Sequence, residues 1–64
     1  MIDGRKPIAR ILVPEEDLIE IETVLDQHGA DFDLDDGDRI IVYEEDVDWI
    51  TDIIEENGFE YWIV

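Results

Sequence analysis

The sequence predicts an α+β domain of element order βαββαβ, a two-layer sandwich of one antiparallel four-stranded sheet with two helices on one face. The first observation is an internal repeat: residues 10–35 align with residues 39–64 at a shift of 29 positions, and 8 of the 26 pairs are identical. The second is that each copy places an amphipathic run between two β-branched or aromatic runs. The third is Asp36-Gly37, a typical hairpin dipeptide, between two strand patterns.

Each copy is therefore expected to fold as strand, helix, strand. The first strands are predicted over residues 8–13 and 39–43, and the second strands over residues 30–34 and 59–64. Pro14 suits a first helical turn, and the acidic triplets at 15–17 and 44–46 suit the positive end of a helix dipole. Gly29 and Gly58 are predicted to end the helices in the left-handed conformation.

Two such units joined by a hairpin resemble the ferredoxin-like fold. Right-handed crossovers give the strand order 4-1-3-2. We predict one acidic domain over residues 8–64, preceded by a flexible basic segment over residues 1–7 that carries Arg5 and Lys6. The resemblance concerns the fold alone and implies no function.

Strand alternation sorts the sheet residues onto two faces. One set is predicted to face the helices: Ile11, Val13, Phe32, Leu34, Ile40, Val42, Phe59, Tyr61 and Ile63. The open face is predicted to carry Arg10, Leu12, Arg39, Ile41, Tyr43, Trp62 and Val64, with Asp31, Asp33 and Glu60 on the outer strands. The five large apolar or aromatic residues of this set, Leu12, Ile41, Tyr43, Trp62 and Val64, indicate self-association through the open face. The alternative is that the long side chains of Arg10 and Arg39 lie across them.

Charge is the dominant property of the composition. The chain has 20 Asp and Glu residues against 4 Lys and Arg, a net charge of -16. Such a charge disfavours direct binding to nucleic acid or anionic membranes. No apolar run is long enough for a transmembrane helix or a secretory signal, so we expect the cytoplasm. Origin in a salt-loving organism is an alternative source of acidity, but eleven Ile and two Ala residues argue against it.

Residue types needed for catalysis are scarce, and we predict that the protein is not an enzyme. The chain has no Ser or Cys, and its one histidine, His28, is predicted to end a helix. No nucleophile–base pair and no phosphate-binding loop can be assembled, so no cofactor is expected. Residues 31–38 resemble a calcium loop, but the required Gly and Glu positions hold Asp36 and Val42. We therefore expect no dedicated metal site.

The helices are predicted to present ordered carboxylates to solvent. Side chains three or four positions apart on a helix are neighbours, about 5–6 Å apart at Cβ. Trp49 interrupts them, either as cover for Ile53 or as a binding anchor. The predicted partner-binding residues are Glu15, Glu16, Glu22, Asp26, Asp48, Trp49, Asp52, Glu55 and Glu56.

Repulsion among so many like charges weakens the folded state, so the charge does not serve folding. The simplest explanation for it is a basic binding partner. The first hypothesis is a DNA mimic that blocks the nucleic-acid site of a host protein. In size and charge, though in no motif, the chain is similar to small phage and mobile-element inhibitors of restriction, CRISPR or repair proteins. The alternative hypothesis is a regulatory or adaptor module that homodimerises through its open sheet and docks a basic segment.

Overall fold

The computed structural model describes residues 2–64 and confirms the predicted βαββαβ order. Each helix follows a short 3₁₀ turn, Glu15–Asp17 or Glu44–Asp46. The elements are β1 (Ile8–Leu12), α1 (Leu18–Gln27), β2 (Phe32–Asp35), β3 (Arg39–Tyr43), α2 (Val47–Glu56) and β4 (Trp62–Ile63). The antiparallel sheet has the order β2-β3-β1-β4, which is the predicted ferredoxin-like order counted from the other edge.

The pairing of β1 with β3 lies at the centre of the sheet and relates the two repeats. Ile11 lies opposite Ile40, and each is the counterpart of the other in the 29-residue repeat. The outer strands show the same symmetry between the repeats, because Ile63 lies opposite Ile11 and its counterpart Leu34 lies opposite Ile40. An approximate twofold axis therefore passes through the Ile11–Ile40 pair and relates the two halves of the molecule.

The core is an aliphatic cluster between the sheet and the helices, as the alternation predicts for the two central strands. On the edge strands, Leu34 and Ile63 lie opposite Ile40 and Ile11 and therefore on the predicted face, but they are less buried than the central residues. Leu34 and Ile63 are about half exposed, because each lies on an outer strand with a neighbouring strand on only one side. Phe32, Phe59 and Tyr61 pack against the cluster and are partly buried. Its buried members are Ile11, Val13, Leu18, Ile21, Leu25, Ile40, Val42, Ile50, Ile53 and Ile54.

Both helices end in the same hydrogen-bonded motif. In α1, the Ala30 N–H donates to the Leu25 carbonyl at 3.0 Å and the Gly29 N–H donates to the Asp26 carbonyl at 3.0 Å. These two bonds define a Schellman motif, which requires a left-handed residue after the helix. Gly29 and its counterpart Gly58 have φ values of 73° and 81°, so the predicted role of these glycines is confirmed.

His28 lies at the C-cap of α1, as predicted. Its Nδ1 atom is 2.9 Å from the Val24 carbonyl oxygen. The counterpart residue, Asn57, donates from Nδ2 to the Ile53 carbonyl at 2.8 Å at the end of α2. Each of these carbonyls also accepts the backbone N–H of the same capping residue, at 3.2 Å in both helices, so the side chain adds a second contact to the last turn.

The hairpin between β2 and β3 turns at the predicted dipeptide. Asp36 and Gly37 have φ values of 57° and 79°, but the connection has three residues, because Asp35 pairs with Arg39. The strands on the sheet edges are shorter than predicted, and β4 covers only Trp62–Ile63. The chain leaves the sheet at Pro14, which lacks an N–H group, so residues 59–61 have no ladder partner on β1.

The helix-ending glycines provide a first test of this architecture. We expect Gly58→Ala to lower the free energy of unfolding by about 1 kcal/mol, because a left-handed backbone is costly for any residue with a Cβ atom. The added Cβ itself meets no heavy atom within 4 Å, so the cost is one of backbone conformation. Gly4→Ala, where the space is also open and φ is not positive, is the matched control. Equal midpoints of urea unfolding for the two variants would contradict the assignment.

Candidate functional site

The acidic residues are concentrated in the helical segments, residues 15–27 and 44–56. These two segments hold 13 of the 20 Asp and Glu residues and none of the four Lys and Arg residues. Because both helices cover the same face of the sheet, the molecule has one strongly anionic side. We call the exposed side chains of these two segments the helix surface.

Along α2, the carboxylates of the helix surface follow one another in a regular row. Asp48, Asp52 and Glu56 recur every four residues, and all three are exposed. Side chains at this spacing are about 5–6 Å apart at Cβ. On α1, Asp26 is exposed and Glu22, four positions before it, is partly buried. The predicted rows therefore exist, with Glu22 as their least accessible member.

Three of the four Lys and Arg residues pair with acids outside these rows. Within residues 2–64, no predicted helix-surface carboxylate forms an ion pair. The three ion pairs found are Lys6 Nζ–Glu45 Oε1 at 3.6 Å, Arg10 Nε–Asp35 Oδ2 at 3.2 Å and Arg39 Nη1–Asp36 Oδ2 at 3.7 Å. Apart from Glu45, the carboxylates of the helix surface thus have no ion-pair partner within the described part of the chain.

Several of these carboxylates oppose helix stability. Asp26, Glu55 and Glu56 lie in the last turns, where the negative end of the dipole favours cations, and neither helix has a basic residue there. Asp17 and Asp46 occupy the N-cap positions of the two helices, yet neither side chain makes a capping hydrogen bond. Local helix stabilisation therefore does not account for the acids in the last turns, whereas those in the first turns lie at the favourable end of the dipole.

Trp49 is 38% exposed on α2 and is held in a defined position. Its indole Nε1–H donates to Asp46 Oδ1 at 2.9 Å. This bond fixes the ring beside a carboxylate and leaves part of its apolar surface accessible. The geometry is compatible with a binding anchor, because little side-chain freedom is left to lose on binding.

The exposure of the five residues predicted for self-association differs widely across the open sheet face. Trp62, which is 50% exposed, and Val64 are accessible, whereas Leu12 and Ile41 are partly buried. Arg10, on β1, donates from Nε to Asp35 Oδ2 on β2 at 3.2 Å, so its side chain spans the width of β3.

Tyr43 is only 7% exposed, because residues of the N-terminal segment cover it. The Asp3 N–H donates to the Tyr43 hydroxyl at 2.6 Å, and Lys6 Nζ lies 5.1 Å from the centroid of its ring. The Glu44 N–H donates to the Pro7 carbonyl at 3.0 Å and extends the pairing of β1 with β3. The segment that the sequence predicts to be flexible thus makes specific contacts over residues 3–7, and Tyr43 is inaccessible to a second chain while they persist.

The surface depressions of residues 2–64 are shallow and open. One is lined by Lys6, Pro7, Glu44 and Glu45, and another by Pro14, Glu15, Glu16 and Ile19. The described residues contain no group of three or more His, Cys, Asp or Glu side chains placed to hold a metal ion. None of the helices in this range is long and apolar enough to cross a membrane.

Ile19 is a feature of the helix surface that the sequence prediction did not single out. It is 76% exposed, more than any other large apolar side chain described. The repeat contains the signal that could have found it, since the counterpart of Ile19 is the surface residue Asp48. Because the same position holds an acid in the second repeat, the aliphatic side chain of Ile19 is not needed for the core.

Comparison of this chain with protein-family models, with curated proteins and with solved structures yields no match. The ferredoxin-like topology is therefore established by the strand order and register, and the function must be argued from the surface.

The row on α2 generates a prediction about stability. Asp52 has like-charged neighbours four positions away on both sides, and such a pair destabilises a helix by about 0.2–0.5 kcal/mol. We expect Asp52→Asn to raise the free energy of unfolding by about 0.5–1 kcal/mol at low salt. The gain should shrink at high salt, where repulsion is screened.

The control for this variant is Asp31→Asn, which removes the same charge from an exposed position outside the helices. Chemical denaturation at two salt concentrations measures both variants. A loss of stability for Asp52→Asn at low salt would show that the row is not repulsive.

Proposed function

We propose that this protein is a non-enzymatic, acidic protein-binding domain that mimics DNA and blocks the basic nucleic-acid site of another protein. The observation that carries the proposal is the charge of the helix surface: the helical segments hold most of the acids and none of the cations, and only Glu45 among them is paired with a cation within residues 2–64. The expected setting is the cytoplasm, where nucleic-acid-binding proteins are accessible.

The linear charge density of the helix surface supports the comparison with DNA. Each segment has a 3-residue 3₁₀ turn and a 10-residue α-helix, and such a unit is about 21 Å long. Two segments side by side, with ten exposed acids between them, carry one exposed carboxylate per about 2.1 Å of length. Duplex DNA carries one charge per about 1.7 Å of its axis. A groove lined with Arg and Lys would therefore meet a similar amount of negative charge.

The arrangement also implies how binding would proceed. Oriented charges steer encounter with a basic surface, so association should be fast and should slow as salt is added. Release of counterions from both surfaces would contribute to affinity, as it does when proteins bind DNA. The fold supplies rigidity, because the carboxylates are carried by helices that are packed on a sheet.

The proposal is tested with purified basic nucleic-acid-binding proteins, including a restriction endonuclease, a CRISPR nuclease and a DNA-repair protein. We expect the protein to displace a fluorescent DNA duplex from at least one of them at low salt. The triple variant Asp48→Asn, Asp52→Asn, Glu56→Gln should compete about tenfold less well, since three exposed ion pairs at about 0.5 kcal/mol each are lost.

The matched control removes the same charge from the rest of the molecule. The variant Asp31→Asn, Asp33→Asn, Glu60→Gln changes two Asp and one Glu at exposed positions outside the helices. It should compete nearly as well as the wild type. Equal losses for the two triple variants, or no displacement from any of the proteins, would refute the proposal.

A second candidate is a regulatory module that homodimerises through its open sheet and docks a basic segment. The observation in its favour is the exposure of three consecutive large residues at β4, Trp62, Ile63 and Val64. The sheet edge at β4 is less acidic than the opposite edge at β2. In the repeat, Trp62 and Val64 at the first edge correspond to Asp33 and Asp35 at the second.

Sedimentation velocity separates this candidate from the first. If the sheet mediates dimerisation, Trp62→Ser should shift the dimer toward monomer by about tenfold or more in dissociation constant, as loss of a central aromatic anchor does. Trp49→Ser, on the helix side, is the control and should leave the equilibrium unchanged. A wild-type protein that stays monomeric at high concentration would exclude the candidate.

A further inference from the structure

The outer edge of the sheet at residues 60–64 carries main-chain groups that have no partner. The Val64 N–H donates to the Arg10 carbonyl on β1 at 3.1 Å. Because successive residues of an antiparallel strand direct their N–H and carbonyl groups to opposite sides, those of Ile63 point away from β1. Within residues 2–64, the Tyr61 N–H donates to no backbone carbonyl. We call residues 60–64 the β4 edge, and its free groups at Tyr61 and Ile63 have the two-residue spacing at which a further strand pairs.

The β4 edge lacks the charges that protect the opposite edge of the sheet. Edge strands generally avoid pairing with other chains by carrying charged side chains. At the β2 edge, residues 31, 33 and 35 are all Asp. Their repeat counterparts at the β4 edge are Glu60, Trp62 and Val64, and the last two are 50% and 63% exposed. Two of the three acids are thus replaced by exposed apolar residues.

The sequence of the β4 edge is complementary to itself. In an antiparallel pairing about a twofold axis centred on Trp62, this residue lies opposite Trp62 of the second copy, and Glu60 lies opposite Val64. Tyr61 and Ile63 then exchange N–H···O bonds across the axis, which gives partners to the free groups of both copies. The aromatic pair stabilises this contact, and no like charges face each other. The same register at the β2 edge would place Asp side chains opposite one another at every second residue.

We propose that two copies of this protein pair through their β4 edges in this register and form one continuous sheet, with four strands from each copy. The twofold axis stands perpendicular to the sheet, so the helices of both copies cover the same face and the two helix surfaces lie side by side. The inference goes beyond the proposed function, because it requires no basic partner. It also differs from dimerisation through the open sheet face, because main-chain groups make the contact and that face stays uncovered.

Sedimentation velocity over a range of protein concentrations measures the dissociation constant of the dimer. We expect the wild type to dimerise and its dissociation constant to fall as salt is added, because salt screens the repulsion between the adjacent helix surfaces. Binding to a basic partner has the opposite dependence on salt. A wild type that stays monomeric at high protein concentration in high salt, or a dimer that salt dissociates, would overturn the inference.

Ile63→Pro tests the main-chain contact. Proline is tolerated at an edge where the replaced N–H faces solvent, so pairing with β1 is retained. In the dimer this variant loses one N–H···O bond per copy, and its dissociation constant should rise about tenfold or more. Leu34→Pro, at the repeat counterpart on the β2 edge, is the control and should leave the dissociation constant unchanged. Because Ile63 lies opposite Ile11 and faces the helices, a dimer through the open face would survive Ile63→Pro, and that result would contradict pairing at the edge.

A second pair of variants avoids proline. Trp62→Asp combined with Val64→Asp gives the β4 edge the acids of the β2 edge, which the fold already accommodates at the equivalent positions. We expect a monomer with unchanged circular dichroism. Thr23→Glu combined with Gln27→Glu adds the same charge at exposed positions of α1, the helix that leads to the opposite edge, and should retain the dimer. Equal dissociation constants for the two double variants would refute the edge dimer and leave the DNA-mimic proposal unaffected, since the displacement assay tests that proposal separately.

Discussion

The antiparallel pairing of β1 with β3 is the interaction on which the rest of this structure depends. It places Ile11 against Ile40 at the centre of the sheet and fixes the register of both repeats from that point. A shift of one residue would turn every buried side chain of a central strand toward solvent. Both helices are positioned over the same face by this register, and the acids they carry are consequently gathered on one side of the molecule.

The resulting division between the two layers is chemical as well as architectural. The sheet side contains all four cations in or beside its strands and pairs three of them with acids. On the helix side, the carboxylates repel one another within the rows, and those in the last turns lie at the negative ends of the helix dipoles. A small domain has little free energy of unfolding to lose, so the persistence of this arrangement supports a use for the charge outside the fold.

The repeat and the alternation of residues were sufficient to predict the topology, the central core residues, the helix-ending glycines and the position of the hairpin. Two features depended on contacts that no local pattern encodes. Tyr43 is buried by Asp3, a residue 40 positions away in the chain. Strand β4 is short because Pro14 ends its partner strand, which is visible only after the register is known.

Both ends of the described chain lie in the sheet layer. The Val64 N–H donates to the Arg10 carbonyl at 3.1 Å at one edge, and the Ile2 N–H lies 3.4 Å from Asp33 Oδ2 at the other. A tether attached at Val64 would therefore leave from the side of the molecule that carries the strands. When the protein is immobilised on a sensor chip in this way, the helices point into solution, and analytes reach them without hindrance from the support.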